Sequence, residues 1–353
     1  MSTSFVDLFC GVGGASSGFQ QAGATAALGV DEDADVLQCW KHNTREGTKC
    51  ETITPDNALA MLPPAEKGLH IHASAPCQLL SRQRQGSTAA ELANGLRLFR
   101  LSVEIPLLRG DHTWSSEQVP SPPVVQVATV LAAHFPERVA FAILDACDYG
   151  NASSRSRLII GPPGLIQRLR RMGTARRVCM AEAFRAYGVD VPEGAVAVTM
   201  SRGRTSPKNR PRRLDGTAFT VLASHPMTWL DDQGKSLGCL SWRHSAALMG
   251  FAPEWKFPKT TRAAQRAAGN AIPPPLAKAI MQAAMELQRA DSALPPPIAP
   301  AQLNSIFTET NPPPSQSMHM PHPDPTHALL LERIEDMSRA LDEMKQLVLE
   351  LRI

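Results

Sequence analysis

Near the start of the chain a short apolar run, Phe5 to Cys10 with only Asp7 polar within it, stops at Gly11-Val12-Gly13-Gly14. A run of that length bounded by glycines predicts a buried strand, and Ala15 to Ala22 predicts a helix after it. A second run, Ala26 to Val30, ends in Asp31. Strand, glycine turn, helix, strand is the opening of a doubly wound α/β domain. Leu69 to Ser74, Val139 to Leu144 and Arg157 to Ile160 predict further strands, with helices between them such as Val124 to His134. The expected sheet is therefore largely parallel and buried.

From about Pro162 the pattern loosens, and Gly, Pro and Ser are spaced through Ser201 to Pro211, which predicts a small irregular second domain. Regular pattern returns near Leu240, and the apolar helix Leu276 to Leu287 closes the globular part. Ala290 to Thr326 is rich in proline, including Pro295 to Pro297 and Pro312 to Pro314, and predicts an extended or disordered linker. Beyond it Leu330, Ile334, Met337, Leu341, Met344, Val348 and Leu351 form a heptad seam. Such a seam predicts a helix that pairs with a second copy or docks on the main domain. The domain plan is residues 1–161 with 240–289, residues 162–239, a linker over 290–326, and a coiled-coil helix over 327–353.

Composition narrows this picture. With 353 residues and 43% hydrophobic content the chain can bury a full core. Its longest apolar stretches, Val124 to Ala133 and Ala277 to Leu287, fall short of the roughly 18 residues that span a bilayer. Met1 to Cys10 has neither a basic leader nor a long apolar region, so an intracellular home is expected, the nucleus in a eukaryote and the cytoplasm otherwise. The seven cysteines include no Cys-x-x-Cys pair and read as reduced thiols. His70 and His72 alternate on a predicted strand and present two nitrogen ligands to one face. No third ligand lies near in sequence, and no metal is expected.

Net charge is only +3, but Ile166 to Arg213 holds twelve Arg or Lys against three acids, which leaves −6 for the remainder. Local positive charge of this kind suits phosphate neutralisation, hence a nucleic-acid partner. Gly11, Gly13 and Gly14 allow a sharp turn and bring backbone amides to a ligand at the following helix. Asp31, at the end of the next strand, is placed to accept from ribose hydroxyls. An adenosine-containing cofactor follows. The position of a third dinucleotide-type glycine holds Ser16, so the spacing by itself is a weak signal.

The stretch Asp7 to Phe19 closely resembles the opening motif of cytosine-C5 DNA methyltransferases. Further similarities recur in the family's order: Pro76-Cys77-Gln78 with Ser81, Glu117-Gln118-Val119-Pro120, Asp145 to Arg157, Arg243 to Phe251, and Gly269-Asn270-Ala271-Ile272-Pro273-Pro274. The resemblance covers about residues 4 to 287. It implies a Rossmann-like S-adenosylmethionine-dependent methyltransferase sheet, a small basic target-recognition domain, and a DNA duplex with a flipped cytosine as substrate.

The resemblance also implies roles. Cytosine C5 is a poor nucleophile, so Cys77 would add as thiolate to C6, with Arg82 or Arg84 favouring ionisation. Glu117 would serve N3, and Arg157 with Arg155 would hold O2 and stabilise charge. Asp7, Leu8, Phe9, Cys10, Gly11, Gly13, Gly14, Asp31, Glu32 and Asn270 would form the cofactor site. Ser81 to Gly86 would close over the extruded base, and Asp215 to Leu222, with Thr220, would be the hinge back to the catalytic domain.

The chain departs from the family at Ala75, Gln118 (usually Asn) and Ser153 (usually Gln). It also departs at Thr52, where an acid is usual, and at His70 and His72, whose strand lacks the usual acid. These changes bear on rate and cofactor affinity more than on reaction type. Two rivals stand beside this reading: an RNA methyltransferase on the same scaffold, whose tRNA-modifying members carry a Cys-Phe-Thr tripeptide not found here, and a silent DNA-binding homologue that assembles through the heptads.

Overall fold

A computed structural model describes residues 3–44, 49–51, 58–78, 80, 88–173, 176–200, 210–290 and 294–308. Within them the central sheet holds β1 (Ser4–Leu8), β2 (Thr25–Val30), β3 (Lys49–Glu51), β4 (Leu69–Ala73), β5 (Thr113–Gln118), β6 (Ala140–Asp145) and β7 (Ser156–Gly161). Their order is β3-β2-β1-β4-β5-β7-β6. The first five run parallel, and β7 is antiparallel to both β5 and β6. The chain order reverses between β1 and β4, and at such a switch point the strand ends open a crevice for ligands.

The helices of the described chain are α1 (Gly14–Gln21), α2 (Ala34–Thr44), α3 (Ala58–Met61), α4 (Ala89–Arg109), α5 (Pro122–His134), α6 (Pro163–Met172), α7 (Met180–Tyr187), α8 (Trp242–Met249), α9 (Thr261–Asn270), α10 (Pro274–Ala290) and α11 (Pro300–Thr308). One sheet face packs Val6, Leu8, Ile71 and Trp114 against Phe99, Val103 and Leu107 of α4 and Val124 and Leu131 of α5. The other face packs Phe5 and Ile159 against α1, α6 and α10. Both faces are covered, which is why the parallel strands β1 and β4 are buried along their length. None of the described helices is long and apolar enough to cross a membrane.

The basic segment after Gly161 divides between two cores. Leu165, Ile166 and Leu169 of α6 join the sheet's second face, so the catalytic packing runs past Gly161. Met180 and Phe184 of α7 instead share a core with Trp229, Leu240 and Leu248, drawing α8 into it. A small antiparallel sheet of β8 (Ala197–Thr199), β9 (Arg212–Arg213), β10 (Thr228–Leu230) and β11 (Ser236–Cys239) completes this region, in the order β11-β10-β8-β9.

The expected linker is corrected over residues 294–308, which are packed and not extended into solvent. Ile298, Leu303 and Ile306 are buried, the first two within the first-face core. Ile298 N–H donates to Leu107 O at 3.0 Å and Arg138 Nη1 donates to Pro296 O at 2.7 Å. Proline content hid three apolar anchors. The heptads of 327–353 lie outside the described residues.

Candidate active site

The crevice forms where the sequence turns from strand to loop at the carboxyl ends of β1, β2, β4 and β5. At β1 the backbone turns at Phe9, which has φ 59° although it is not glycine, and continues through Gly11 and Gly13 at φ 53° and 88°. Left-handed φ at a bulky side chain persists only where its surroundings impose it. Here Cys10 N–H donates to Val30 O at 3.0 Å and Gly11 N–H to Asp31 Oδ2 at 2.8 Å. A Cβ on Gly11 would meet nothing within 4 Å, whereas one on Gly14 would lie 2.3 Å from Ile272 O. The loop is thus open on one side and clamped on the other by the turn that follows α9.

The predicted cofactor residues separate into three groups. Asp31, exposed Glu32 and the loop Phe9 to Gly14 stand together at the ends of β1 and β2. Burial raises the Asp31 carboxyl above the usual range, against the lowering effect of donors from Asp33 and Gly11. Asp7 and Leu8 lie inside the strand: Leu8 is core, and Asp7 accepts from Ser16 Oγ at 2.5 Å while Trp40 Nε1 donates to Ser16 Oγ at 2.7 Å. Burial pushes Asp7 up to about 7. Asn270 ends α9 on the wall of a different cleft, next to the turn that packs on Gly14.

That second cleft, of about 1260 Å³, is where the other candidates meet. Cys77, Arg155, Arg157 and Thr220 line it beside Trp242 of α8 and Arg262 of α9. Cys77 is half-buried on the loop leaving β4, and Leu80 N–H donates to its carbonyl at 3.0 Å. Glu117, 6% exposed at the end of β5, forms an ion pair with Arg157 Nε, which sets it behind that guanidinium. Arg155 is buried and spends its donors on Val221 O at 3.1 Å and Gly269 O at 2.9 Å, tying β7 to the hinge and to α9. Burial and Arg157 lower its pKa, while Glu117 and Cys77 oppose the shift. A guanidinium remains cationic under such a shift, so Arg155 keeps a positive charge near the thiol, while the charge of Arg157 is offset by Glu117.

Gln118 holds the thiol's loop: its Nε2 donates to Ala75 O at 3.0 Å and its Oε1 accepts from Val119 N–H at 2.8 Å. Thr220 Oγ1 donates to Ser154 O at 2.7 Å, which anchors the segment expected to be the hinge next to the start of β7. His70 and His72 meet Ser115, and among the described residues no group of three or more His, Cys, Asp or Glu is arranged to hold a metal. Arg82, Arg84, Thr52 and the loop Ser81 to Gly86 lie outside the described residues.

Sequence reasoning missed several supports. Trp40 and Trp255 both close on Gly13, where a Cβ would come within 2.9 Å of each ring, and Trp255 Nε1 donates to Val12 O at 2.8 Å. Tryptophans bordering a glycine loop carry no spacing signal. The arginine cluster is also less free than its density suggests. Arg212 donates to Ala218 O at 2.7 Å and stacks on Phe219, and Arg176 and Arg177 pair with Glu182 and Asp148. Arg210 and Arg213 are exposed.

Comparison with known proteins bears on this arrangement. The model of the C-5 cytosine-specific DNA methylase family matches residues 3–102 and 192–286, more than half of the chain. A comparison with curated proteins returned no match. Among solved structures, a prophage-encoded E. coli protein described as a DNA modification methyltransferase aligns with TM-score 0.55 and 15% identity, over 82% of this chain and 100% of that one. The Entamoeba histolytica methyltransferase EhMeth aligns with TM-score 0.52 and 14% identity, over 81% and 98%. The S. pombe Dnmt2 methyltransferase gives 0.51 and 15%, over 82% and 99%. At these identities the structural likeness is one of fold. The motif order, the sheet and the match of the family model agree, and the chain belongs to the C-5 cytosine-specific DNA methylase family.

Proposed function

We propose that the protein methylates carbon 5 of cytosine in DNA, with Cys77 as nucleophile and S-adenosylmethionine as methyl donor. The observation that carries this reading is the convergence of Cys77, Arg155 and Arg157 on one cleft, with Glu117 paired to Arg157 at its edge. The loop from Phe9 to Gly14 and Asp31 suit the cofactor, because Gly11 leaves open space where a side chain would stand. When bound, the cofactor supplies an electrophilic methyl group.

The Cys77 thiolate adds to C6 of an extruded cytosine, and the ring's electron density passes to C5 and N3. Glu117 holds a proton at N3, which requires the Arg157 guanidinium to yield a carboxylate oxygen to the base. Arg157 then stabilises charge near O2, and Arg155 keeps the hinge and α9 in place around it. After transfer a water molecule takes the C5 proton, and the C–H electron pair re-forms the C5=C6 bond as the C6–S bond breaks and the Cys77 thiolate leaves. Residues 176–239, beyond α6, serve as the target-recognition region, with Arg210 and Arg213 toward phosphate, and the heptads of 327–353 serve pairing with a second copy.

Duplex DNA and tRNA offered side by side with labelled S-adenosylmethionine test the substrate, and label is expected in DNA cytosine. Duplex DNA with 5-fluorocytosine at the target is expected to form a stable cofactor-dependent adduct, since fluorine cannot leave as a proton does. Mass spectrometry should map it to Cys77, and Cys77→Ala should abolish both adduct and turnover. Label in tRNA alone, or an adduct at Cys10 or Cys147, overturns the reading.

A further inference from the structure

Two histidines occupy the strand that leads to the nucleophile loop, and both are fully buried beneath Phe19 of α1, which packs edge-on against each ring at 5.5 and 5.3 Å. Burial drives His70 well below its ordinary pKa and His72 down to about 3. Both rings are therefore neutral at physiological pH, and each has one N–H and one bare nitrogen. The polar atoms form a single file. Ser115 Oγ lies 3.0 Å from His70 Nε2 and 2.8 Å from His72 Nδ1, and His72 Nε2 lies 2.9 Å from Ser74 Oγ. His70 Nδ1 is buried with no hydrogen-bond partner among the described residues.

A hydroxyl has one hydrogen, so Ser115 donates to one ring and accepts from the other, which leaves two proton orders. If Ser115 donates to His70, then His70 carries its hydrogen on Nδ1, where the N–H is buried with nothing to accept it. The Ser74 hydrogen is then consumed by His72. If Ser115 donates to His72, then His70 donates from Nε2, His72 donates from Nε2 to Ser74, and only a bare ring nitrogen is left in the core. Orphaned buried donors are rarer in proteins than under-satisfied acceptors, which favours the second order. In that order the Ser74 hydroxyl hydrogen is left for a further acceptor.

Ser74 is half-buried at the end of β4, and its N–H donates to Leu8 O at 3.1 Å, beside the glycine loop. Along the carboxyl edge of the sheet Asp31 ends β2, the glycine loop follows β1, and Ser74 and Cys77 follow β4. An S-adenosylmethionine with its ribose held by Asp31 and its methyl group directed to Cys77 would bring its amino-acid segment near Ser74, which lies between them along the sheet edge. The sulfonium and ammonium accept no hydrogen bond; the carboxylate does. We propose that the buried pair His70 and His72 acts as a positioning device that fixes Ser74 as a hydrogen-bond donor to the carboxylate of bound S-adenosylmethionine. This rests on the cofactor reading above.

Nitrogen-15 NMR of the full-length labelled protein reads the proton order directly. The expected result is hydrogen on Nε2 and a bare Nδ1 in both rings; hydrogen on Nδ1 of either ring overturns the proposal. Calorimetry with S-adenosylmethionine and with its decarboxylated analogue reads the contact. Ser74→Ala should weaken the first roughly tenfold, as for a lost hydrogen bond to a charged group, and leave the second within twofold of the parent. Ser74→Thr should restore most of the loss. Equal weakening of both ligands, or of neither, overturns the role of Ser74 while leaving the cofactor reading intact. A parent protein that binds neither ligand overturns the cofactor reading itself and this proposal with it.

Discussion

β1 and β5 stand two positions apart in one sheet and both are almost wholly buried, yet one reads Ser-Phe-Val-Asp-Leu and the other Thr-Trp-Ser-Ser-Glu-Gln. β1 is held by apolar packing and delivers backbone: the turn after it is shaped by glycines and by amides bound to Val30 and Asp31. β5 delivers side chains, and each polar one has a lateral partner. Thr113 donates to Leu69 O, Ser115 meets both histidines, Ser116 meets Ser102, Glu117 meets Arg157 and Gln118 meets Ala75 O. Buried polar groups cost several kcal/mol unless bonded, so β5 is a strand only because its neighbours satisfy it. The proposed cofactor end of the site rests on backbone shape and the acid end on a paired polar network.

The largest test breaks the acid end. Arg157→Ala leaves Glu117 buried without its ion-pair partner, with only Arg155 nearby, and should cost about 3–5 kcal/mol in urea unfolding. Glu117→Gln keeps an amide oxygen to accept from Arg157, so it should lose about 1–3 kcal/mol, stay folded and slow methyl transfer. A loss under about 1 kcal/mol for Arg157→Ala would mean that the pair behaves as a solvated surface pair.

Asp7 is the polar exception within β1, and it sharpens the contrast because no counter-charge offsets its burial. Its pKa rises from 3.8 in the unfolded chain to about 7 in the folded one. Well below pH 4 the group is protonated in both states and costs nothing; between about 4 and 7 the unfolded chain ionises while the folded one keeps its proton, so stability falls across that window and levels off above about 7, where the folded state carries a buried anion. Asp7→Asn should therefore stabilise by at most about 4 kcal/mol at pH 8 and by almost nothing at pH 4. Melting temperatures across that range check it, and a gain independent of pH would be the wrong sign of mechanism.

The smallest effect tests the clamp on the glycine loop. Gly14→Ala forces a methyl group toward Ile272 O, 2.3 Å from the Cβ position, and should cost about 1–3 kcal/mol by thermal unfolding. A neutral substitution would show that the turn after α9 yields easily and that the loop is not clamped.

Read as sequence, the chain disclosed what depends on local pattern. The apolar runs of β1, β2, β4, β6 and β7, the glycine turn and the helix from Val124 were legible, because strand burial and tight turns impose composition directly on neighbouring residues; the motifs around Cys77, Glu117 and Arg157 were read only through their resemblance to a family. β5 was not legible, since a polar run is indistinguishable from a loop until its partners are known. The strap of residues 294–308 was hidden for a similar reason: three apolar anchors among prolines make no period.

Tertiary structure alone decided which charged side chains meet. It placed Arg157 on Glu117, turned Arg155 and Arg212 inward to backbone carbonyls, carried Asn270 to the wall of the Cys77 cleft, and joined His70, His72, Ser115 and Ser74 in one file. Hydrophobic periodicity is written along a few residues of chain, but a hydrogen bond or an ion pair is a property of two positions that only folding brings within 3 Å or so of each other.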